Sequence, residues 1–168
     1  MTDQAPAQSS NAFVEAWRTH DIDRLIDAMA PDIVLHSPML SAPFRGRRVA
    51  RDLYTALFAK IEQLEILEQS KTADTETIVF RAQLGRRTID GVDVIRYDPQ
   101  GDIVEIRNFI RPLSAIGLFA SATGPGFARK RGRAAAVLTF LLTQPLRALF
   151  AILDRVAPKL LPLDHHRE

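Results

Sequence analysis

The run Asp90-Gly91-Val92-Asp93-Val94-Ile95-Arg96-Tyr97-Asp98-Pro99-Gln100-Gly101-Asp102-Ile103-Val104-Glu105-Ile106-Arg107-Asn108-Phe109-Ile110-Arg111-Pro112-Leu113 decides how the chain is read. Two β-rich stretches flank an Asp-Pro-Gln-Gly turn, the signature of a hairpin. Each stretch carries ionisable residues among its apolar ones. A carboxylate or guanidinium on a half-buried strand must be paired, hydrated or used, so Asp93 and Arg111 are the pair to explain.

Outward from the hairpin, three more runs have strand-like composition: Ile33 to Pro38, Leu64 to Ser70 and Glu76 to Arg87. The hairpin itself supplies Gly91 to Tyr97 and Asp102 to Leu113, with Ile89-Asp90-Gly91 as the break before it. On the N-terminal side, Phe13, Val14, Trp17, Ile22, Leu25, Ile26 and Met29 recur at three- and four-residue spacings. This predicts two helices in tandem that stop before Pro31, with Asp21 in a capping position. Ser41 to Arg48, with Pro43, Gly46 and three arginines, reads as a loop, and Val49 to Glu62 as a long amphipathic helix. Helices first and then a mostly antiparallel sheet is an α+β order.

The chain divides into a disordered segment over 1–10, an α+β domain over 11–122, a basic linker over 123–133, and an amphipathic helix with a polar tail over 134–168. Ser114 to Ala122 reads as a terminal helical turn stopped by Thr123-Gly124-Pro125-Gly126. In the C-terminal helix Val137, Leu138, Leu141, Leu142, Leu149, Ile152 and Leu153 gather on one side of a projection. Thr139, Thr143, Arg147 and Asp154 gather on the other, with a kink expected at Pro145 and the end at Pro158 and Pro162. Two readings follow. The cluster Arg129-Lys130-Arg131-Gly132-Arg133 meets anionic lipid while the leucines enter a membrane surface, or the helix packs on its own domain or a partner subunit. Arg147 and Asp154 interrupt the run and argue against a true membrane span.

With 168 residues the chain is long enough for one domain with a real core; 46% hydrophobic and 25% charged residues are ordinary globular values. The net charge is +2, and neither the cluster Arg129-Lys130-Arg131-Gly132-Arg133 nor Arg45 with Arg47 and Arg48 amounts to a nucleic-acid face by itself. The absence of cysteine removes disulfide, thiol and Cys-based zinc chemistry. Met1 to Asn11 lacks the positive flank and apolar core of a signal peptide, so the expected location is cytoplasmic, with peripheral membrane contact through 129–156 as the other reading. His20, His36, His165 and His166 show no ligand spacing near acids, so no metal and no cofactor is expected.

The residues Ala30-Pro31-Asp32-Ile33-Val34-Leu35-His36-Ser37-Pro38, Pro43-Phe44-Arg45-Gly46-Arg47, Gly91-Val92-Asp93, Gly101-Asp102-Ile103-Val104-Glu105-Ile106 and Arg111-Pro112-Leu113 resemble a SnoaL-like domain of the nuclear transport factor 2-like superfamily over roughly 10–122. The resemblance implies a cone-shaped α+β barrel: a curved, mostly antiparallel sheet wrapped by helices, with an apolar pocket inside and a homodimer contact outside. It implies small hydrophobic ligands and, in some members, ketosteroid isomerase, polyketide cyclase or epoxide hydrolase chemistry. In the isomerases a general base follows the first strand, a place matched here by Ser37, and an oxyanion-hole tyrosine on the first helix is matched by Phe13. Their second acid, a protonated aspartate, is matched by Asp93. An aspartate on the last strand of the cyclases and epoxide hydrolases falls on Arg111, which inverts the charge and disfavours those chemistries.

Asp93 therefore has two readings: a buried acid that donates to a ligand oxygen, or half of an internal ion pair with Arg111 or Arg96. Arg111 either binds an anionic head group or marks the strand end. His36 is the side chain that titrates near neutrality and is the other catalytic candidate, though alternation keeps it and Ser37 on opposite faces. Phe13, Trp17, Tyr54, Phe58 and Phe109 are pocket walls or plain core.

Overall fold

The computed structural model describes residues 5–85, 87–128 and 132–160. It forms two compact units, 1–110 and 111–168. The first contains helices α1 (Ala5–Thr19), α2 (Ile22–Asp27) and α3 (Arg47–Phe58) and strands β1 (Met29–His36), β2 (Phe44–Arg45), β3 (Ile61–Lys71), β4 (Thr75–Leu84), β5 (Arg87–Tyr97) and β6, which ends at Arg111 after starting at Ile103. The second contains α4 (Leu113–Ala128) and α5 (Arg133–Leu160).

The six strands form one curved, unclosed sheet in the order β2-β1-β6-β5-β4-β3. β1 runs parallel to β6, while the β1–β2, β3–β4 and β4–β5 pairs are antiparallel. The α+β reading and the tandem helices are those expected. Asp21 caps α2 as its position suggested, its carboxylate accepting from the Arg24 N–H at 3.0 Å. Asp21→Ala should cost about 1 kcal/mol of stability, read as a shifted denaturant midpoint at unchanged slope.

Several boundaries differ from expectation. Ala5 to Ser10, assigned to a disordered segment, open α1, and Met1 to Gln4 lie outside the described residues. Arg47 and Arg48 belong to α3 rather than to a loop: Gly46 takes φ +85° at its N-cap, and Arg47 Nε donates to the Met29 carbonyl at 2.6 Å. Ile61 and Glu62 open β3 instead of closing the helix. The break before β5 falls at Gly85, φ +59°, and not at Ile89-Asp90-Gly91. Gly91 is small for a packing reason: a Cβ there would lie 2.2 Å from Phe80 Cζ. The turn of the hairpin is as read, with Asp98 Oδ1 accepting from Gln100 and Asp102 N–H groups and Gly101 at φ +90°.

In the second unit, α4 runs straight through Thr123-Gly124-Pro125-Gly126, the expected breaker, because Gly124 sits where α4 meets α5. Proline 158 lies within α5 rather than ending it. The cluster Arg129-Lys130-Arg131 and the tail with Pro162, His165 and His166 lie outside the described residues.

Candidate functional site

Alternation along β4 and β5 buries one face of the sheet. Glu76, Ile78, Phe80, Ala82 and Leu84 share it with Ile89, Gly91, Asp93, Ile95 and Tyr97. Ile78 stands directly opposite Asp93 and Phe80 opposite Gly91. Helix α1 covers this face through Trp17, whose ring meets Phe80 edge-on at 4.7 Å, with Phe13 at 6.0 Å from Trp17. Helix α3 adds Tyr54 and Phe58, 5.9 Å apart, and Phe58 stacks on His20 at 4.6 Å. Phe13, Trp17, Tyr54 and Phe58 are all buried, as either reading of them requires.

Asp93 is 2% exposed in these apolar surroundings. Its described hydrogen bond is from the neutral amide of Asn108, Nδ2 to Oδ1 at 2.6 Å. Burial raises its pKa to about 7, against the downward pull of that bond. Tyr54 is pushed well above its ordinary value, first by its own burial and then by the Asp93 charge. Trp17 Nε1 is buried, and among the described residues it has no hydrogen-bond partner. A buried donor left unpaired is costly, so this N–H is the second polar group on the face with capacity to spare.

The expected ion pair of Asp93 with Arg96 or Arg111 does not form. Arg96 and Arg107 both reach Glu105, at 3.8 and 2.7 Å, on the other face. Arg111 is exposed and alternates with Arg107 and Phe109, opposite Asn108; among the described residues no ion pair includes it. Phe109, expected as a pocket wall, is 58% exposed. His36 joins the same outer cluster, Nε2 lying 3.0 Å from Glu105 Oε1. Ser37 accepts from the Met39 N–H at 3.2 Å, a local turn contact. His36 and Ser37 are thus not brought to Asp93 as a working set.

A second polar node was not foreseen. Glu76 is fully buried and accepts from Tyr97 Oη and Gln69 Nε2, while the Lys71 ammonium lies 4.5 Å over the Tyr97 ring. Partial burial lowers the Lys71 pKa and Glu76 pulls it back up. The signal was available: Glu76 has the inward parity of Ile78 and Phe80. An open depression of about 450 Å³ is lined by Asp32, Val34, Arg45, Gly46 and Val104, residues that carry the family resemblance but are not candidate site residues from sequence. Among the described residues no group of three His, Asp or Glu side chains could hold a metal ion.

Three solved structures of similar fold set this geometry in context. A steroid delta-isomerase from Pseudomonas aeruginosa is 24% identical, with TM-score 0.68 over 80% of this chain and 96% of its own. An uncharacterized conserved protein with a cystatin-like fold from Silicibacter pomeroyi is 17% identical, with TM-score 0.69 over 81% and 94%. A nuclear transport factor 2-like protein of unknown function from Burkholderia xenovorans is 16% identical, with TM-score 0.58 over 64% and 84%. No curated protein matches the chain. The SnoaL-like domain family matches residues 11–106, the stretch from α1 into β6 that carries the buried acid and the helices over it, and the chain belongs to that family.

Proposed function

We propose that the protein binds an oxygenated hydrophobic small molecule against the inner face of the sheet, with Asp93 as the polar end of the site. The observation that carries this reading is a carboxyl buried among apolar side chains, held by a neutral amide and poised at a pKa of about 7. Such a group exists in both protonation states near neutral pH. Protonated, it donates to a carbonyl, enolate or hydroxyl oxygen; ionised, it accepts a proton or a hydroxyl hydrogen bond. The Asn108 amide fixes one carboxyl oxygen and leaves the other for the ligand. Phe13, Trp17, Tyr54 and Phe58 supply apolar contact, and the unpaired Trp17 N–H is a second donor on the same face.

The similarity to a steroid isomerase supports the ligand class. It does not carry over that enzyme's set of groups, since Ser37 and Phe13 stand where the isomerases' base and tyrosine are expected. One poised acid suits enolisation or protonation only if the ligand brings its own second group, so binding is the minimal function and proton transfer its extension.

Thermal-shift screening of steroid- and polyketide-like ketones and alcohols should reveal ligands that stabilise the wild type. Asp93→Asn should weaken the best of them roughly tenfold, the loss of one buried charge-assisted or hydroxyl hydrogen bond. Arg111→Met, on the exposed face, should leave that affinity unchanged. If no oxygenated hydrophobe stabilises the protein, the binding reading fails and a non-catalytic accessory role takes its place.

A further inference from the structure

The second unit is built in the reverse sense from a helix pair made for water. Helix α4 contains no charged residue in its 16 positions, and between Ala134 and Leu153 helix α5 contains only Arg147. In water, an amphipathic helix buries its apolar stripe and exposes its polar one. Here α5 packs on α4 with its small and polar stripe inward: Ala136 is buried and Thr139 and Thr143 are half-buried. Its apolar stripe faces out, with Val137, Leu138, Leu141, Leu142, Leu149 and Ile152 all 53–60% exposed.

The packed side has the chemistry of helices that meet in lipid. Gly124 allows the close approach, since a Cβ there would lie 3.0 Å from Thr139 Cγ2. The threonine hydroxyls need no water: Thr139 Oγ1 donates to the Ala135 carbonyl at 2.8 Å and Thr143 Oγ1 to the Thr139 carbonyl at 2.9 Å. Small residues at the contact and back-bonded threonines satisfy the polar groups that a hydrocarbon surrounding cannot.

Length and charge agree. By length and composition the stretch Arg133–Val156 is long and apolar enough to cross a membrane, even with Arg147 and Asp154 in it. At 1.5 Å per residue it extends about 36 Å, against a hydrocarbon core of about 30 Å. Arg133 opens the helix and Arg129, Lys130 and Arg131 immediately precede it in sequence, the composition that meets anionic headgroups. Asp154, Arg155 and Lys159 return charge at the far end.

We infer that α4 and α5 form a membrane anchor whose apolar α5 face is covered by the acyl chains of an anionic bilayer, tethering the SnoaL-like unit to a membrane. The basic cluster complements an anionic headgroup layer, whereas a second copy packed in parallel would bring like charges together.

The full chain should float with vesicles of phosphatidylcholine and more completely when phosphatidylglycerol is included. Leu138→Gln combined with Leu142→Gln and Leu149→Gln should cut flotation by more than about tenfold, because three exposed side chains lose their transfer into hydrocarbon. These positions are exposed, so the variant should keep its helical circular dichroism. Independently of that variant, Leu142→Trp should show a blue-shifted emission component on addition of vesicles, since the native Trp17 is already buried. The inference is overturned if the wild type stays unbound to both vesicles. It is also overturned if the triple variant floats equally, or if the wild type forms a discrete dimer that the triple variant dissolves while neither floats.

Discussion

Wild-type protein should melt at a lower temperature at about pH 8 than at about pH 5, and Asp93→Asn should remove most of that slope. The ordinary pKa of the carboxyl is 3.8 and in the fold it is about 7. Below 3.8 both folded and unfolded chains hold the proton, so the group costs nothing. Between 3.8 and 7 the unfolded chain releases its proton while the folded chain retains it, and folding loses ground with each pH unit. Above 7 both are ionised and the loss is complete. Of the whole rise from 3.8 to about 7, the step from pH 5 to pH 8 samples the upper two-thirds, which corresponds to about 3 kcal/mol and, for a chain of this size, to roughly 8 °C. Little solvent screening reduces this figure, since Asp93 is 2% exposed. Asparagine keeps an oxygen for the Asn108 amide and has no proton to lose, so the difference between the two melting profiles isolates this one group. Parallel profiles would mean that the acid is not buried as described. If the proposed binding holds, the same titration should tune ligand affinity, because donor and acceptor forms of Asp93 exchange near pH 7.

Much of this site was legible in the sequence, and the remainder was hidden for physical reasons. Period-two alternation in the hairpin marks Asp93 as inward-facing, whereas its partner Asn108 was not singled out: the amide reaches the acid from β6 only once the strands are folded together. Charge matching pointed instead to Arg96 and Arg111, yet both have outward parity. Attraction between opposite charges says nothing about which face each occupies, and the parity of the strand decides it. Phe109 misled in the same way, its aromatic character suggesting a wall although it alternates with the exposed arginines. The Thr-Gly-Pro-Gly run misled for another reason. Glycine reads as a breaker in a helix bathed by water, whereas at a helix contact it is what lets two backbones approach. The outer cluster of His36, Arg96, Glu105 and Arg107 depends on the parallel β1–β6 pairing, a long-range contact that local patterns do not encode.

Gly91→Ala should destabilise the fold by about 3 kcal/mol, although it adds a single methyl group to a strand interior where alanine is otherwise the better residue. The added Cβ would lie 2.2, 2.6 and 2.8 Å from three atoms of the Phe80 ring, distances that no packing tolerates. Phe80 cannot swing aside cheaply, because it is 3% exposed and its ring is held edge-on by Trp17 at 4.7 Å. Either the aromatic pair moves or β5 does, and β5 carries Asp93 two residues further along the same face. Phe80→Leu alone should also destabilise, through lost packing against Trp17. Combined, the two substitutions should cost at least about 1 kcal/mol less than their sum, since the smaller side chain vacates the space that the methyl needs. Denaturant unfolding of the four proteins, followed by the fluorescence of the single tryptophan, measures that coupling directly. Additive costs would show that Phe80 does not fill the notch over Gly91. A positive coupling, with Asp93-dependent melting recovered in the double variant, would establish that this glycine serves the inner face by shape: it seats the aromatic floor that keeps the neighbouring acid dry.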